Sequence, residues 1–201
     1  MARILGAARK IIEAKGAATM TVSEVADAAG VSSSSLYQSY SNKSDIIAAL
    51  VEDALEKQTD NHKDILNPAP YSLLHLGQML VDILDSYFEF LTKDPAVRDI
   101  WAAFSADKLI QNNVNRDDIR NRDLIFEACR HLFPATREHE VKRKLLILVK
   151  FGSAAVDLAV QQEDAEARSI LGEAKEMLYA AYEVSMLPLG RAAQRLAGEQ
   201  S

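Results

Sequence analysis

From residue 145 to residue 160 the chain is apolar almost throughout, its charges limited to Lys150 and Asp157. The run is too short and too charged to span a membrane. As a helix it is apolar nearly all round, and such a helix must be covered on every side. Only helices are on offer to cover it. No Val/Ile/Thr run alternates with polar residues, no Asn-Gly hairpin turn occurs, and Gly and Pro number only 8 and 5 in 201 residues. An all-α fold follows.

The other helices are legible from apolar spacing. Ile4, Ala8, Ile11 and Lys15 share a face of the first, with Leu5 and Ile12 beside them and Gly16 as its stop. A fourth helix starts at the N-cap Asn42, carries Ile46, Ile47, Leu50, Val51, Ala54 and Leu55, and ends in the polar residues 57–67. Asn67-Pro68-Ala69-Pro70 is a breaker. The fifth helix, residues 71–93, has one polar stripe: His75, Gln78, Asp82, Asp85 and Glu89. Asp94-Pro95 opens the sixth as N-cap and first-turn proline. Residues 111–122 read as a polar loop grading into a seventh, which stops before Pro134. The eighth spans residues 138–162. The ninth spans residues 166–187, with Pro188-Leu189-Gly190 ending it and a frayed tail beyond.

Residues 21–43, TVSEVADAAGVSSSSLYQSYSNK, have a different character. Thr21 and Glu24 form a capping box. Val22, Val25, Ala26 and Ala29 give a short helix one apolar face, and Gly30 suits the left-handed conformation of a helix C-terminus. Ser32 is a second N-cap. Leu36 and Tyr40 point the next helix inward, which leaves Ser33, Ser34, Ser35, Tyr37, Gln38 and Ser39 facing out. A short helix with hydroxyls and an amide on its outer face suits the major groove of DNA.

In order and spacing, ILGAARKIIEAKG at 4–16, TVSEVADAAGVS at 21–32, Leu36-Tyr37 and Asn42-Lys43 resemble the DNA-binding domain of the tetracycline-repressor (TetR) family. Two departures stand out. Ser33-Ser34 occupy positions where the family often has Lys or Gln and then Gly, Pro or Ala, and Ser39-Tyr40 replace a frequent His-Phe. The resemblance implies a homodimeric transcriptional regulator that binds double-stranded operator DNA. It implies phosphate contacts for Tyr37 and Lys43, and a small-molecule effector enclosed among the helices after the fourth. The DNA-facing candidates are Thr21, Ser23, Ser33, Ser34, Ser35, Tyr37, Gln38, Ser39 and Lys43. The expected division is a helix-turn-helix domain over residues 1–46 and a helical effector and dimerisation domain over residues 47–201.

Charge agrees in a limited way. The net charge is −6, but residues 1–46 hold five basic and four acidic side chains, so +1 falls there and −7 on the rest. Enzyme classes lack their signatures: no Gly-rich phosphate loop and no nucleophile motif occurs. Asp82 and Asp85 are paired carboxylates on a face assigned to solvent, and no two of the four His have metal-site spacing. No catalytic residue, metal or cofactor is expected. Cys129 lies on an apolar face and suits a buried thiol. A lone Cys and an N-terminus without a signal-peptide core fit the cytoplasm.

Tyr87, Phe88, Trp101, Phe104 and Phe126 are either core or the wall of an effector cavity. Periodicity alone favours core; the resemblance favours the cavity. Inward positions on these helices carry hardly any charge, so a largely apolar effector is expected. The small residues of the eighth and ninth helices, Gly152, Ala155, Ala159, Ala174 and Ala181 with Leu178, are the candidates for a two-fold dimer interface. The alternative reading is a helical adaptor with a DNA-binding head and no effector. It predicts a monomer whose eighth helix is covered by a different chain.

Overall fold

The computed structural model describes the backbone of residues 1–105 and 112–198, and the side chains of residues 1–103 and 116–189. Among the described residues there is no strand. Nine α-helices follow one another among the described residues: α1 (Ala2–Lys15), α2 (Val22–Ala29), α3 (Ser33–Ser39), α4 (Lys43–Ile65), α5 (Leu73–Lys93), α6 (Pro95–Ser105), α7 (Asn112–Cys129), α8 (Glu138–Ala159) and α9 (Asp164–Gly198). Two 3-10 turns, Arg130–Leu132 and Ala135–Arg137, lead from α7 to α8.

The chain divides into two compact units. One is Met1–Gln58 with Phe90–Asn115; the other is Thr59–Glu89 with Arg116–Ser201. The division therefore falls inside α4, α5 and α7. The boundary expected between residues 46 and 47 also lies inside the continuous helix α4.

In the first unit α1 buries Ile4, Ala8 and Ile12. The expected face was one residue off: Ile11 is half-buried, and Lys15 is exposed and pairs with Glu24. Val25, Ala26 and Ala29 of α2 and Leu36 of α3 complete the small core. α6 belongs to this unit. Its N-cap is Asp94, whose Oδ1 accepts from the Ala96 N–H at 2.9 Å. The other oxygen of Asp94 pairs with Arg9 of α1, which ties the two helices together.

Three helices run longer than their sequence promised, α4 and α7 for one physical reason and α9 for another. Polar residues that read as loop or as helix end are buried by their neighbours. α4 continues to Ile65 because Gln58, Thr59 and His62 are buried on its last turns. α7 is already helical at Asn112, where the description resumes, and buries Asp118 within the segment read as a loop. α9 passes through Pro188 and is helical as far as Gly198, the last residue described. Met186 and Leu189, buried on either side of the proline, anchor the helix across the lost backbone donor.

In the second unit α8 and α9 pack along one another. α8 buries Val141, Leu145, Leu148, Gly152, Val156 and Ala159. It is not covered on every side, because Ile147, Phe151 and Leu158 remain exposed.

Candidate nucleic-acid interface and effector region

α3 is built to present a surface. The capping box is complete: Thr21 Oγ1 accepts from the Glu24 N–H, and the Glu24 carboxylate accepts from the Thr21 N–H at 3.0 Å. Lys15 and Thr21 on that carboxylate hold its pKa down at about 2, so it stays ionised. Gly30 ends α2 at φ 63, in the left-handed conformation that glycine adopts without strain. Ser32 then caps α3 by accepting from the Ser35 N–H at 3.2 Å. Leu36 and Tyr40 are buried, while Ser33, Ser34, Ser35, Tyr37, Gln38 and Ser39 are all exposed. Tyr37 is 54% exposed, unusual for an aromatic ring in a compact unit.

The hydroxyls on this face differ in freedom. Ser34 and Ser35 lie 3.0 and 2.8 Å from the Ser32 hydroxyl and belong to the cap. Ser33, Gln38 and Ser39 carry no such tie. Thr21 is held in its box, and Ser23 is exposed beside it. Lys43, at the first turn of α4, donates to the Ala18 carbonyl at 2.6 Å. Asn42 Oδ1 accepts from the Asp45 N–H at 3.0 Å, and Asp45 accepts from the Ser41 N–H at 2.8 Å. The start of α4 is thus fixed beside α3.

The aromatic candidates separate. Trp101, on α6, is buried in the first unit. The side chain of Phe104 lies outside the described residues. Tyr87 and Phe88 on α5 are half-buried in the second unit, and Phe126 on α7 is buried there with Lys142 Nζ 4.5 Å from its ring centroid.

The expectation that inward positions carry hardly any charge is wrong for α7. Asp118 is 3% exposed; it pairs with Lys150 and accepts from the Ser153 hydroxyl at 3.2 Å. Burial raises the pKa of the neighbouring Asp117. Asp117 in turn accepts from Arg120 at 2.5 Å and from the Asn121 amide at 2.9 Å. Asn121 Oδ1 lies 3.1 Å from His62 Nδ1, and burial depresses the pKa of that imidazole. Burial, together with the carboxylates of Asp157, Asp117 and Asp118, pushes the Tyr87 phenol well above its usual value. His62, which looked isolated in the sequence, belongs to a polar network reaching α4, α5, α7 and α8. Its visible signal in the sequence is the tandem Asp117-Asp118, inside the segment that reads as a loop.

The dimer candidates need the same correction. Gly152, Ala159, Ala174 and Leu178 are buried within the single chain, so they serve packing inside it. A Cβ on Gly152 would already stand 3.2 Å from Leu84 Cδ1. Ala155 is half-buried and Ala181 is exposed. The apolar face left open is Ile147, Phe151, Ala154 and Leu158 on α8, with Met177, Ala181 and Val184 on α9. These recur at steps of three and four, so each set is one stripe.

Two family profiles match the sequence. "Bacterial regulatory proteins, tetR family" matches residues 4–50, and "Tetracyclin repressor-like, C-terminal domain" matches residues 74–182, more than half of the chain. The chain belongs to the TetR family. Its fold is that of TetR-family regulators of known structure. One from Streptomyces coelicolor superposes with a TM-score of 0.67 at 23% identity, over 92% of this chain and 98% of that one. The repressor AlkX from Dietzia sp. gives 0.62 at 18%, over 92% and 97%. FadR from Bacillus subtilis, in complex with stearoyl-CoA, gives 0.59 at 16%, over 89% and 97%. A search among curated proteins finds no match. As a TetR-family member the chain is a DNA-binding transcriptional regulator, and no helix among the described residues is long and apolar enough to cross a membrane.

Proposed function

We propose that this regulator is a repressor, bound as a homodimer to a palindromic operator and released by a small molecule. The observation that carries the DNA reading is α3, a seven-residue helix anchored by the buried Leu36 and by the buried Tyr40 at its C-cap, with an outer face of four serines, Gln38 and Tyr37. Ser33 and Gln38, untied and exposed, are the groups placed to reach base edges. Tyr37 and Lys43 take phosphates. Thr21, Ser23, Ser34, Ser35 and Ser39 line the rest of that face.

The exposed stripes of α8 and α9 support a two-fold interface, since a second copy covers apolar surface that a single chain leaves in water. Two reading heads must then meet successive major grooves about 34–36 Å apart. α4 passes from the first unit into the second, so a shift of its last turns by an effector displaces its first turns at Lys43 and Ile46. An effector of largely apolar bulk fits the side chains of Phe126 and Phe88. The network of Tyr87, Asp117, Asp118 and His62 offers the polar groups that would set its orientation. A fold relative holding stearoyl-CoA is consistent with a ligand-responsive C-terminal region.

The test is selection of duplexes bound from a random pool by the full-length protein. A palindrome whose half-sites are one helical turn apart is expected. A pool that yields no consensus overturns the reading.

A further inference from the structure

The two ends of α3 are held in different ways. Its C-terminal half is anchored by two buried side chains, Leu36 and Tyr40. Residues 32–35, its cap and first turn, are all exposed, and the bonds of the Ser32 hydroxyl stay within that turn. No buried side chain fixes where the first turn points. That is left to the connection from α2, Gly30 and the half-buried Val31.

Arg3 lies on this connection. Its Nη2 donates to the carbonyl of Ala29, the last residue of α2, at 2.6 Å. The nearby backbone donors are used elsewhere: the Gly30 N–H goes to the Ala26 and Asp27 carbonyls, and the Val31 N–H to that of Ala26. The guanidinium thus satisfies one of the carbonyls that a helix end leaves without an intrahelical donor. It also sits over the turn. A Cβ on Gly30 would stand 3.2 Å from Nη2, and no other described atom beyond the glycine's chain neighbours comes within 4 Å of that point.

The placement of Arg3 on α1 works against its own helix. α1 starts at Met1 without a side-chain cap and has no acidic residue in its first turn. A cation there opposes the positive end of the helix dipole. At the C-terminus of α2 the same cation meets a negative end, so charge and dipole agree. Arg3 therefore serves α2 and the turn that leads into α3.

We propose that Arg3 is a positioning residue for sequence recognition. Its bond to Ala29 fixes the angle at which the first turn of α3 enters the groove, and it acts through that angle without touching DNA. The proposal rests on α3 being the helix that reads base edges.

The test uses the full-length protein, an operator selected from a random pool, and a scrambled duplex of equal length and composition. Arg3→Met keeps an unbranched stem and removes the donor and the charge. The ratio of operator affinity to scrambled-duplex affinity is expected to fall about tenfold, with the salt slope and the helical content at the assay temperature unchanged. Selection repeated with Arg3→Met is expected to relax preference at several adjacent base pairs, because a tilted helix misplaces all its readers together. Lys10→Met removes an exposed cation elsewhere on α1 and is expected to leave the ratio as it is. An unchanged ratio for Arg3→Met overturns the proposal, as does an equal fall in Lys10→Met or a fall that comes with lost helical content. A salt slope lower by about one unit, with both duplexes weakened, makes Arg3 a phosphate contact instead. Relaxation at a single base pair makes it a base contact, which overturns the proposal too. A wild-type protein that selects no consensus removes the base-reading role of α3 and the proposal with it, whereas an unchanged ratio removes Arg3 alone.

Discussion

Lys43 makes one contact in this structure and is proposed to make another on DNA. In this structure its ammonium is spent on the Ala18 carbonyl, which steadies the start of α4 against the loop before α2. A phosphate arriving at α4 competes for the same group. Lys43→Ala is therefore expected to weaken binding to all duplexes alike and to lower the slope of log affinity against log salt by about one unit, since one phosphate contact releases roughly one counterion. An unchanged slope in a salt titration would remove Lys43 from the interface. Gln38→Ala is expected instead to relax preference at one base pair by about 1–3 kcal/mol, read as a changed consensus in the selected pool.

His62 makes a prediction of another kind. Burial depresses its folded pKa below the ordinary 6.5. Above 6.5 the imidazole is neutral in both folded and unfolded chains, and its contribution to stability is fully present. As the pH falls through the folded value, that contribution is lost, because the unfolded chain takes up a proton more readily. His62→Asn is expected to flatten the fall in melting temperature between about pH 7 and about pH 5. An equally steep fall in the variant would place the acid sensitivity elsewhere.

At the scale of elements, the capping box and the buried pair of α7 have opposite logics. Thr21 satisfies donors that α2 would otherwise leave orphaned, so Thr21→Ala is expected to cost about 1 kcal/mol in urea unfolding. Asp118 is buried and Lys150 is half in solvent. Lys150→Met strands a charge and is expected to destabilise by roughly 1–3 kcal/mol, while Lys150→Met/Asp118→Leu recovers most of that loss. A double variant as unstable as the single one would show that Asp118 is needed for its bond to Ser153, not for the ion pair. The raised thiol of Cys129, pushed up to about 12 by burial, belongs with structural packing and not with redox chemistry.

At the scale of the whole molecule, the open apolar stripes of α8 and α9 matter most. Val184 is 81% exposed and Ile147 is 62% exposed, on two helices that pack on each other. Ile147→Lys/Val184→Lys places charge in the proposed interface while touching no buried residue. Light scattering is expected to show monomer, with operator affinity reduced because each head then binds alone. A variant that stays dimeric would locate the interface on another face. A substitution at Ala155 would serve less well, because that residue is already half-buried in the single chain.

Local chemistry alone determined the head of this protein. Caps, a left-handed glycine, helical apolar spacing and the outward set of α3 are properties of a few neighbouring residues, and they were readable at Thr21, Glu24, Gly30, Ser32 and Leu36. The helical class followed the same way, since the absence of strand patterning is also local. Tertiary structure decided the rest. Whether Gly152, Ala159 and Leu178 face a second copy or their own chain depends on how α5, α8 and α9 meet, and periodicity marks an apolar side without naming what covers it. Polar residues such as Gln58, His62 and Asp118 read as solvent-facing because burial is costly when they are alone. Only the fold supplies Asn121, Ser153 and Lys150 as their partners, and with those partners polar segments become buried helix.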